Sequence, residues 1–317
     1  MKRALIFPGQ GSQNVGMGKE LADAFKAARH VFDQVDDALN QKLSHIMFEG
    51  SADELTLTAN AQPALMAVSL AIMEVLEKDF GFKVGEAAAF VAGHSLGEYS
   101  ALAADKVFSI HDASVLLRTR GNAMQQAVPV GKGGMAVLMG LSWDEAITVT
   151  KEAAAGDVCV CANDNAEGQV VISGDLSAIE RAIKIATDKG AKRAMKLPVS
   201  APFHSPLLQP AEDIMREALN SVEMRALVVP VVSNVTATAT DNVGIVRERL
   251  IQQVTGTVRW RESVQFMENS GVTEFVEIGA GKVLTGLVKR TAPDAKAHAI
   301  NTVAEIEEFA KNVQAGQ

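Results

Sequence analysis

Short apolar runs alternate along the chain with longer segments whose apolar positions recur at helical spacing. Ala4 to Phe7 reads as a buried strand stopped by Pro8-Gly9, and Ala89 to Gly93 as a second. Val228 to Ser233 and Glu274 to Ile278 complete this set, the last stopped by Gly279-Ala280-Gly281. Between them the spacing predicts helices over about Gly18 to Leu39, over residues 62 to 78 with Pro63 in the first turn, and from His94 through Ala103. Further helices are expected over Asp112 to Gln126, Ala211 to Ser221, Gly244 to Val254, Ser263 to Asn269 and Leu284 to Arg290. Strands that alternate with helices predict a mostly parallel sheet covered on both faces.

The texture changes at Pro129-Val130-Gly131-Lys132-Gly133-Gly134, which reads as a linker. Beyond it the pattern predicts a strand over Met135 to Leu141 and a helix over Ser142 to Ala154. Ser142 and Glu145 there form a capping box. Strands at Val158 to Ala162 and Val170 to Ser173 are joined by a polar loop, Asn163 to Gln169, and are followed by a helix to Lys189 and a strand over Arg193 to Leu197. This β-α-β-β-α-β order is the ferredoxin-like arrangement. The expected fold is therefore α/β: a large α/β-hydrolase-like domain, residues 1–128 and 199–317, carrying an inserted small ferredoxin-like subdomain, residues 129–198.

Composition narrows the function classes. With 317 residues and 48% apolar residues the chain can bury a large core without disulfides or a metal. A formal net charge of −8 argues against non-specific nucleic-acid binding, which needs clustered cations. The two cysteines, Cys159 and Cys161, read as buried core residues rather than a disulfide or zinc site. The N-terminal apolar run is too short for a signal sequence, and no run is expected to span a bilayer, so a cytoplasmic protein with no membrane partner is expected.

Gly93-His94-Ser95-Leu96-Gly97 fits G-x-S-x-G between a strand and a helix, the pattern of a nucleophile elbow. Small flanking residues permit the tight turn, which lifts the Ser95 hydroxyl to a helix N-terminus beside the Leu96 N–H, a candidate oxyanion donor. The competing reading is a structural turn with a capping serine. A serine needs a base. Of six histidines, His204 stands out, because Ala201-Pro202-Phe203-His204-Ser205-Pro206 is a stiff loop beside the insertion. His204 is thus a candidate base or a loop-stabilising residue. Asp157, Asp164, Asp175 and Asp188 lie between the two but fall inside the insertion, which favours a Ser–His dyad. Gly9-Gln10-Gly11-Ser12-Gln13 lacks the phosphate-loop signatures and is the alternative source of a second oxyanion N–H. Arg120 is either a helix-end cation or a clamp for a substrate carboxylate. Lys192, Arg193 and Lys196 either meet an acidic partner or form a solvated strand edge.

Together these segments closely resemble the malonyl-CoA:acyl-carrier-protein transacylases of type II fatty-acid synthesis. Phe7-Pro8-Gly9-Gln10-Gly11-Ser12-Gln13 resembles the family's opening motif, and Gly93-His94-Ser95-Leu96-Gly97-Glu98-Tyr99-Ser100-Ala101 its active-site motif. Arg120-Gly121, Gln169 to Gly174, Ala201 to His204 and Glu277 to Leu284 also match. The resemblance implies that Ser95 carries a malonyl ester between malonyl-CoA and acyl-carrier protein, with His204 as base and then acid. It implies an oxyanion hole from the N–H groups of Gln10 and Leu96, and a pairing of Arg120 with the malonyl carboxylate. Gln253 lies where the family places a residue whose carbonyl orients the histidine, and Asn163 is expected to line the site. Phe203 would narrow the space at the malonyl α-carbon, a discrimination worth about 1–3 kcal/mol per methyl group. No cofactor, metal or nucleic acid is implied, and a monomer is expected. The alternatives are a stand-alone acyltransferase or acyl hydrolase serving a polyketide synthase, and a plain serine esterase.

Overall fold

A computed structural model of the protein describes residues 2–199 and 201–315; Met1, Ser200, Gly316 and Gln317 lie outside them. Its strands are β1 (Arg3–Phe7), β2 (Phe90–Gly93), β3 (Gly133–Met139), β4 (Cys159–Ala166), β5 (Gln169–Asp175), β6 (Arg193–Lys196), β7 (Val231–Val232), β8 (Ala239–Thr240), β9 (Glu274–Ile278) and β10 (Lys296–Ile300). One sheet runs β10-β9-β1-β2-β7-β8 and is parallel except at its β7–β8 edge. The other runs β4-β5-β3-β6 and is antiparallel throughout. The mixed α/β architecture expected from the alternation of apolar runs is the one observed.

β1 shows why the parallel sheet forms. Ala4, Leu5, Ile6 and Phe7 are all fully buried. Strand alternation sends Leu5 and Phe7 to one face, with Val91, Val276 and the helix Thr58–Phe80, and Ala4 and Ile6 to the other, with Ala92, Phe275 and Trp260. Each large apolar side chain so buried contributes about 1.5–3 kcal/mol relative to exposure. The antiparallel sheet alternates too. Ala136, Leu138 and Ile172 pack under its two helices, Trp143–Ala154 and Leu176–Asp188, while Met135 and Val171 turn back into the main core. The capping box at Ser142 and Glu145 is formed.

Several expectations need correction. The helix expected over Gly18 to Leu39 is two helices, Lys19–Ala24 and Lys26–Leu39, separated by extended Phe25 (φ −124°, ψ 126°). Pro63 is not in a first turn, because its helix starts at Thr58 and runs to Phe80. By length and composition that helix meets the requirement for crossing a bilayer, contrary to the sequence expectation; 89% of its apolar window is buried inside the protein. The polar segment Asn163 to Gln169 is mostly strand: β4 continues to Ala166 through register shifts and turns tightly into β5. Asn163 is therefore a buried strand residue bridged to Val258, not a loop residue. Arg120 is not a helix end, since its helix, Ile110–Gln126, continues past it. Gly121 is needed there because a Cβ would come within 2.6 Å of the Ala59 backbone on the crossing helix.

The Glu277 to Leu284 motif is explained locally. The Glu277 carboxylate accepts the N–H groups of Leu284 (3.0 Å) and Thr285 (2.7 Å), capping the helix Val283–Thr291. Arg193 and Lys196 are exposed on β6, the edge strand of the small sheet.

Candidate active site

The adjacent ends of β1 and β2, paired through Phe7 and Gly93, place two chain turns side by side. After β2 the chain reverses at Ser95, which takes φ 54° and ψ −113° before the helix Leu96–Ala104. A serine at positive φ costs about 1–3 kcal/mol and persists only where its surroundings fix it. Here Asn234, just beyond β7, does so with both ends of its amide. Its Oδ1 accepts the Ser95 N–H (2.7 Å) and its Nδ2 donates to the Gly93 carbonyl (2.7 Å). The glycines of the motif are equally necessary. A Cβ on Gly93 would lie 1.9 Å from the Gly97 carbonyl oxygen, and one on Gly97 would lie 2.2 Å from the Phe7 carbonyl oxygen. We expect Gly93→Ala to lower the unfolding free energy by about 3 kcal/mol or more. Gly286→Ala, where a Cβ meets nothing within 4 Å inside a helix, should raise it by about 0.5–1 kcal/mol. Urea unfolding of the two variants checks this pair.

The Ser95 hydroxyl donates to His204 Nε2 at 2.8 Å. His204 also sits at positive φ (56°), in the two-proline loop singled out from the sequence. Its Nδ1–H donates to the Gln253 carbonyl oxygen at 2.9 Å. A carbonyl accepts but cannot donate, so it fixes the tautomer that leaves Nε2 free to accept. Burial, followed by the charge of Arg120, pushes the His204 pKa down to about 3, so the imidazole is neutral at neutral pH. A hydroxyl bonded to a neutral, oriented imidazole can pass its proton when it attacks a carbonyl carbon. The Leu96 N–H opens its helix and has no partner within it. Gln10 follows β1 at the same edge, its side-chain Oε1 accepting from Thr58 Oγ1 (3.0 Å), and a Cβ on Gly9 would lie 2.7 Å from the His94 carbonyl oxygen. The two turns are thus in close contact.

Arg120 is 1% exposed. It donates through Nη2 to Ser95 Oγ (3.1 Å) and Gln253 Oε1 (2.9 Å), and through Nη1 to Gln62 Oε1 (2.7 Å). Its guanidinium rests on the Tyr99 ring, 5.7 Å from the centroid. Among the described residues no carboxylate forms an ion pair with it, although burial disfavours its charge. All of its hydrogen bonds go to neutral groups, and the Glu98 carboxylate acts on it only at a distance, through Gln253.

The structure thus brings Ser95, His204, Arg120, Gln253 and Leu96 together with Gln10 at the neighbouring turn. Phe203 is 8% exposed and packs in the main core next to His204. Asn163 lies on β4, whose neighbours tie the small sheet to this centre. Asn165 accepts from His94 Nε2 at 2.8 Å, and Asp164 forms an ion pair with Arg261 at 2.9 Å. His94 points to Asn165 and Trp260, away from the Ser95 hydroxyl. Sequence reasoning missed Gln62, Asn234 and Glu98. Only Glu98 carried a signal, as it follows Ser95 by one helical turn. Among the described residues no group of three or more His, Cys, Asp or Glu side chains could hold a metal ion.

Residues 4–315 match the family model described as the acyl transferase domain. The chain is 45% identical over 307 residues to the malonyl CoA-acyl carrier protein transacylase of Bacillus subtilis, covering 96% of this chain and 95% of that one. A crystal structure of the acyl-carrier-protein-S-malonyltransferase from Bartonella henselae superposes with a TM-score of 0.97 at 52% identity, covering 99% and 100% of the two chains. A malonyl-transacylase in complex with its type II polyketide-synthase acyl-carrier protein superposes at 0.95 and 40% identity, covering 98% and 100%. With the family model spanning nearly every residue around the Ser95–His204 pair, the chain belongs to the acyl transferase family.

Proposed function

We propose that this enzyme moves a malonyl group from malonyl-CoA to the phosphopantetheine thiol of acyl-carrier protein, through a malonyl ester on Ser95, in cytoplasmic fatty-acid biosynthesis. His204 Nε2 takes the Ser95 proton as Oγ attacks the thioester carbonyl. The N–H groups of Gln10 and Leu96 hold the oxyanion. Its collapse breaks the C–S bond, and His204 returns the proton to the departing coenzyme A sulfur. The carrier thiol then enters, gives its proton to His204 and takes the malonyl group by the same steps in reverse. No cofactor is required, since malonyl-CoA is a substrate. Residues 129–198 are the small subdomain of this reading and residues 1–128 and 199–317 the catalytic domain; β3 to β6 form their own sheet, with a single β-bridge to the rest, from Asn163 to Val258, among the described residues. Asn163 and Phe203 line the acyl pocket in this reading.

The observation that carries the proposal is Arg120. A buried cation 3.1 Å from the nucleophile, with no carboxylate of the described residues paired to it, suits an acyl group that ends in a carboxylate. A plain esterase has no use for it, and would be expected to place a carboxylate where His204 instead meets the Gln253 carbonyl. Incubation with malonyl-CoA should give an intact-mass increase of one malonyl group, mapped to Ser95 and lost when carrier protein is added. An enzyme that stays unmodified, or an ester that passes only to water, would refute the assignment. The relative solved with a polyketide-synthase carrier supports a second reading in which that class of carrier accepts the group. Parallel transfer assays with both carrier classes separate the two.

A further inference from the structure

Beneath the Ser95–His204 pair lies a carboxylate that the reaction just described does not use. Glu98, on the first turn of the helix that follows Ser95, is fully buried. One of its oxygens, Oε2, accepts two hydrogen bonds, from Gln253 Nε2 (2.7 Å) and from the Asn234 backbone N–H (3.1 Å). Those partners are the residues that hold the reacting groups. The Gln253 carbonyl takes His204 Nδ1–H, its Oε1 takes Arg120 Nη2, and its Nε2 also reaches the Ser95 carbonyl (3.0 Å). Asn234 fixes the Ser95 and Gly93 backbone. We propose that Glu98 is a positioning residue for acyl transfer: through Oε2 it sets Gln253, and hence His204 and Arg120, and it sets Asn234, and hence the Ser95 turn.

The geometry explains why an acidic side chain stands in so buried a place. The Gln253 side chain spans Arg120 and the Ser95 turn, and its amide donors need acceptors to keep one orientation. Left without Oε2, the amide can rotate, and the backbone that presents the carbonyl to His204 loses its anchor. Oε1, by contrast, makes no hydrogen bond of good geometry among the described residues, although the Ser233 hydroxyl is near enough to the carboxyl to favour its charged form. The carboxyl therefore acts through one oxygen, and a proton on the other leaves that action intact. Burial, the largest influence, pushes its pKa up to about 7, so both forms are accessible near neutrality.

The inference rests on the acyl-transfer reading, so the wild-type enzyme is first shown to form and pass on its Ser95 malonyl ester; failure there refutes that reading rather than this one. Glu98→Ala should then lower kcat for transfer to carrier by up to about a hundredfold, the scale set by small misplacements of catalytic groups. Glu98→Gln, which can present its amide oxygen where Oε2 lies, should restore turnover to within a few-fold of wild type. Gln253→Ala keeps the carbonyl but removes the side chain that Glu98 grips. It should reproduce the loss, and adding Glu98→Ala to it should cost little more. Wild-type turnover in Glu98→Ala, or a Glu98→Gln as impaired as Glu98→Ala, overturns the proposal. If Glu98→Ala does not fold, the Gln253→Ala arm decides: wild-type kcat there overturns the proposal, and the predicted loss together with full Glu98→Gln activity supports it.

Discussion

His204→Ala is expected to slow formation of the Ser95 ester by about 10⁶-fold, as when one member of a nucleophile–base pair is removed. The hydroxyl then has no neighbouring lone pair to accept its proton, and the remaining donors act only on an oxyanion that rarely forms. Single-turnover mass measurement with malonyl-CoA gives the rate; a loss below about a hundredfold would show that another group serves as base. The wild-type pH dependence provides a second check. With its pKa pushed down to about 3 by burial and by Arg120, His204 stays neutral well below the range of an ordinary histidine. Acylation is therefore expected to show no histidine-like loss between pH 7 and pH 5. The same shift has a consequence for stability. A folded-state pKa below the unfolded one means that the unfolded chain binds the proton first. The His204 contribution is intact above the unfolded value of 6.5 and is lost as pH falls toward 3. Thermal melts at pH 7 and pH 4 should show His204→Ala losing less stability than wild type over that interval. The comparison largely cancels Glu98, whose raised pKa acts in the opposite direction.

Arg120→Ala is expected to invert acyl selectivity. Two charge-assisted hydrogen bonds to a malonyl carboxylate, at about 1.5–3 kcal/mol each, correspond to roughly two to four powers of ten in kcat/KM. Acetyl-CoA, which has no carboxylate to lose, should gain relative to malonyl-CoA. The removed guanidinium also leaves Gln62 and Gln253 without their shared donor, so some loss common to both substrates is expected. The ratio of the two kcat/KM values isolates the clamp. Arg120→Lys should restore only part of it, because an ammonium lacks the planar fork that meets two oxygens at once. Near wild-type malonyl transfer by Arg120→Ala would refute the assignment.

The sequence by itself determined the layers and the elbow. Continuous apolar runs such as Ala4 to Phe7 had to be buried on both faces, and the capping box at Ser142 marked a helix start that depends on its own four residues. Gly93-His94-Ser95-Leu96-Gly97 carried its own geometry, because only glycine fits where the turn closes on its own backbone. Boundaries that depend on packing were not legible. Helical spacing continues through Phe25, and a proline six residues into the helix Thr58–Phe80 looked like a start. Asn163 to Ala166 is polar in composition yet strand in fact, because its backbone is claimed by β5 and by Val258. The site divides in the same way. Ser95 and His204 were marked by local turn chemistry and a stiff loop. What holds them came from elsewhere: Asn234 from 139 residues away and Gln253 from 49 residues beyond His204. Hydrogen bonds between such distant residues leave no periodic trace, since they exist only where the fold brings strand ends together. The sequence proposed Ser95 and His204 as nucleophile and base; tertiary structure alone decided which groups hydrogen-bond them, and that among the described residues no carboxylate forms an ion pair with Arg120.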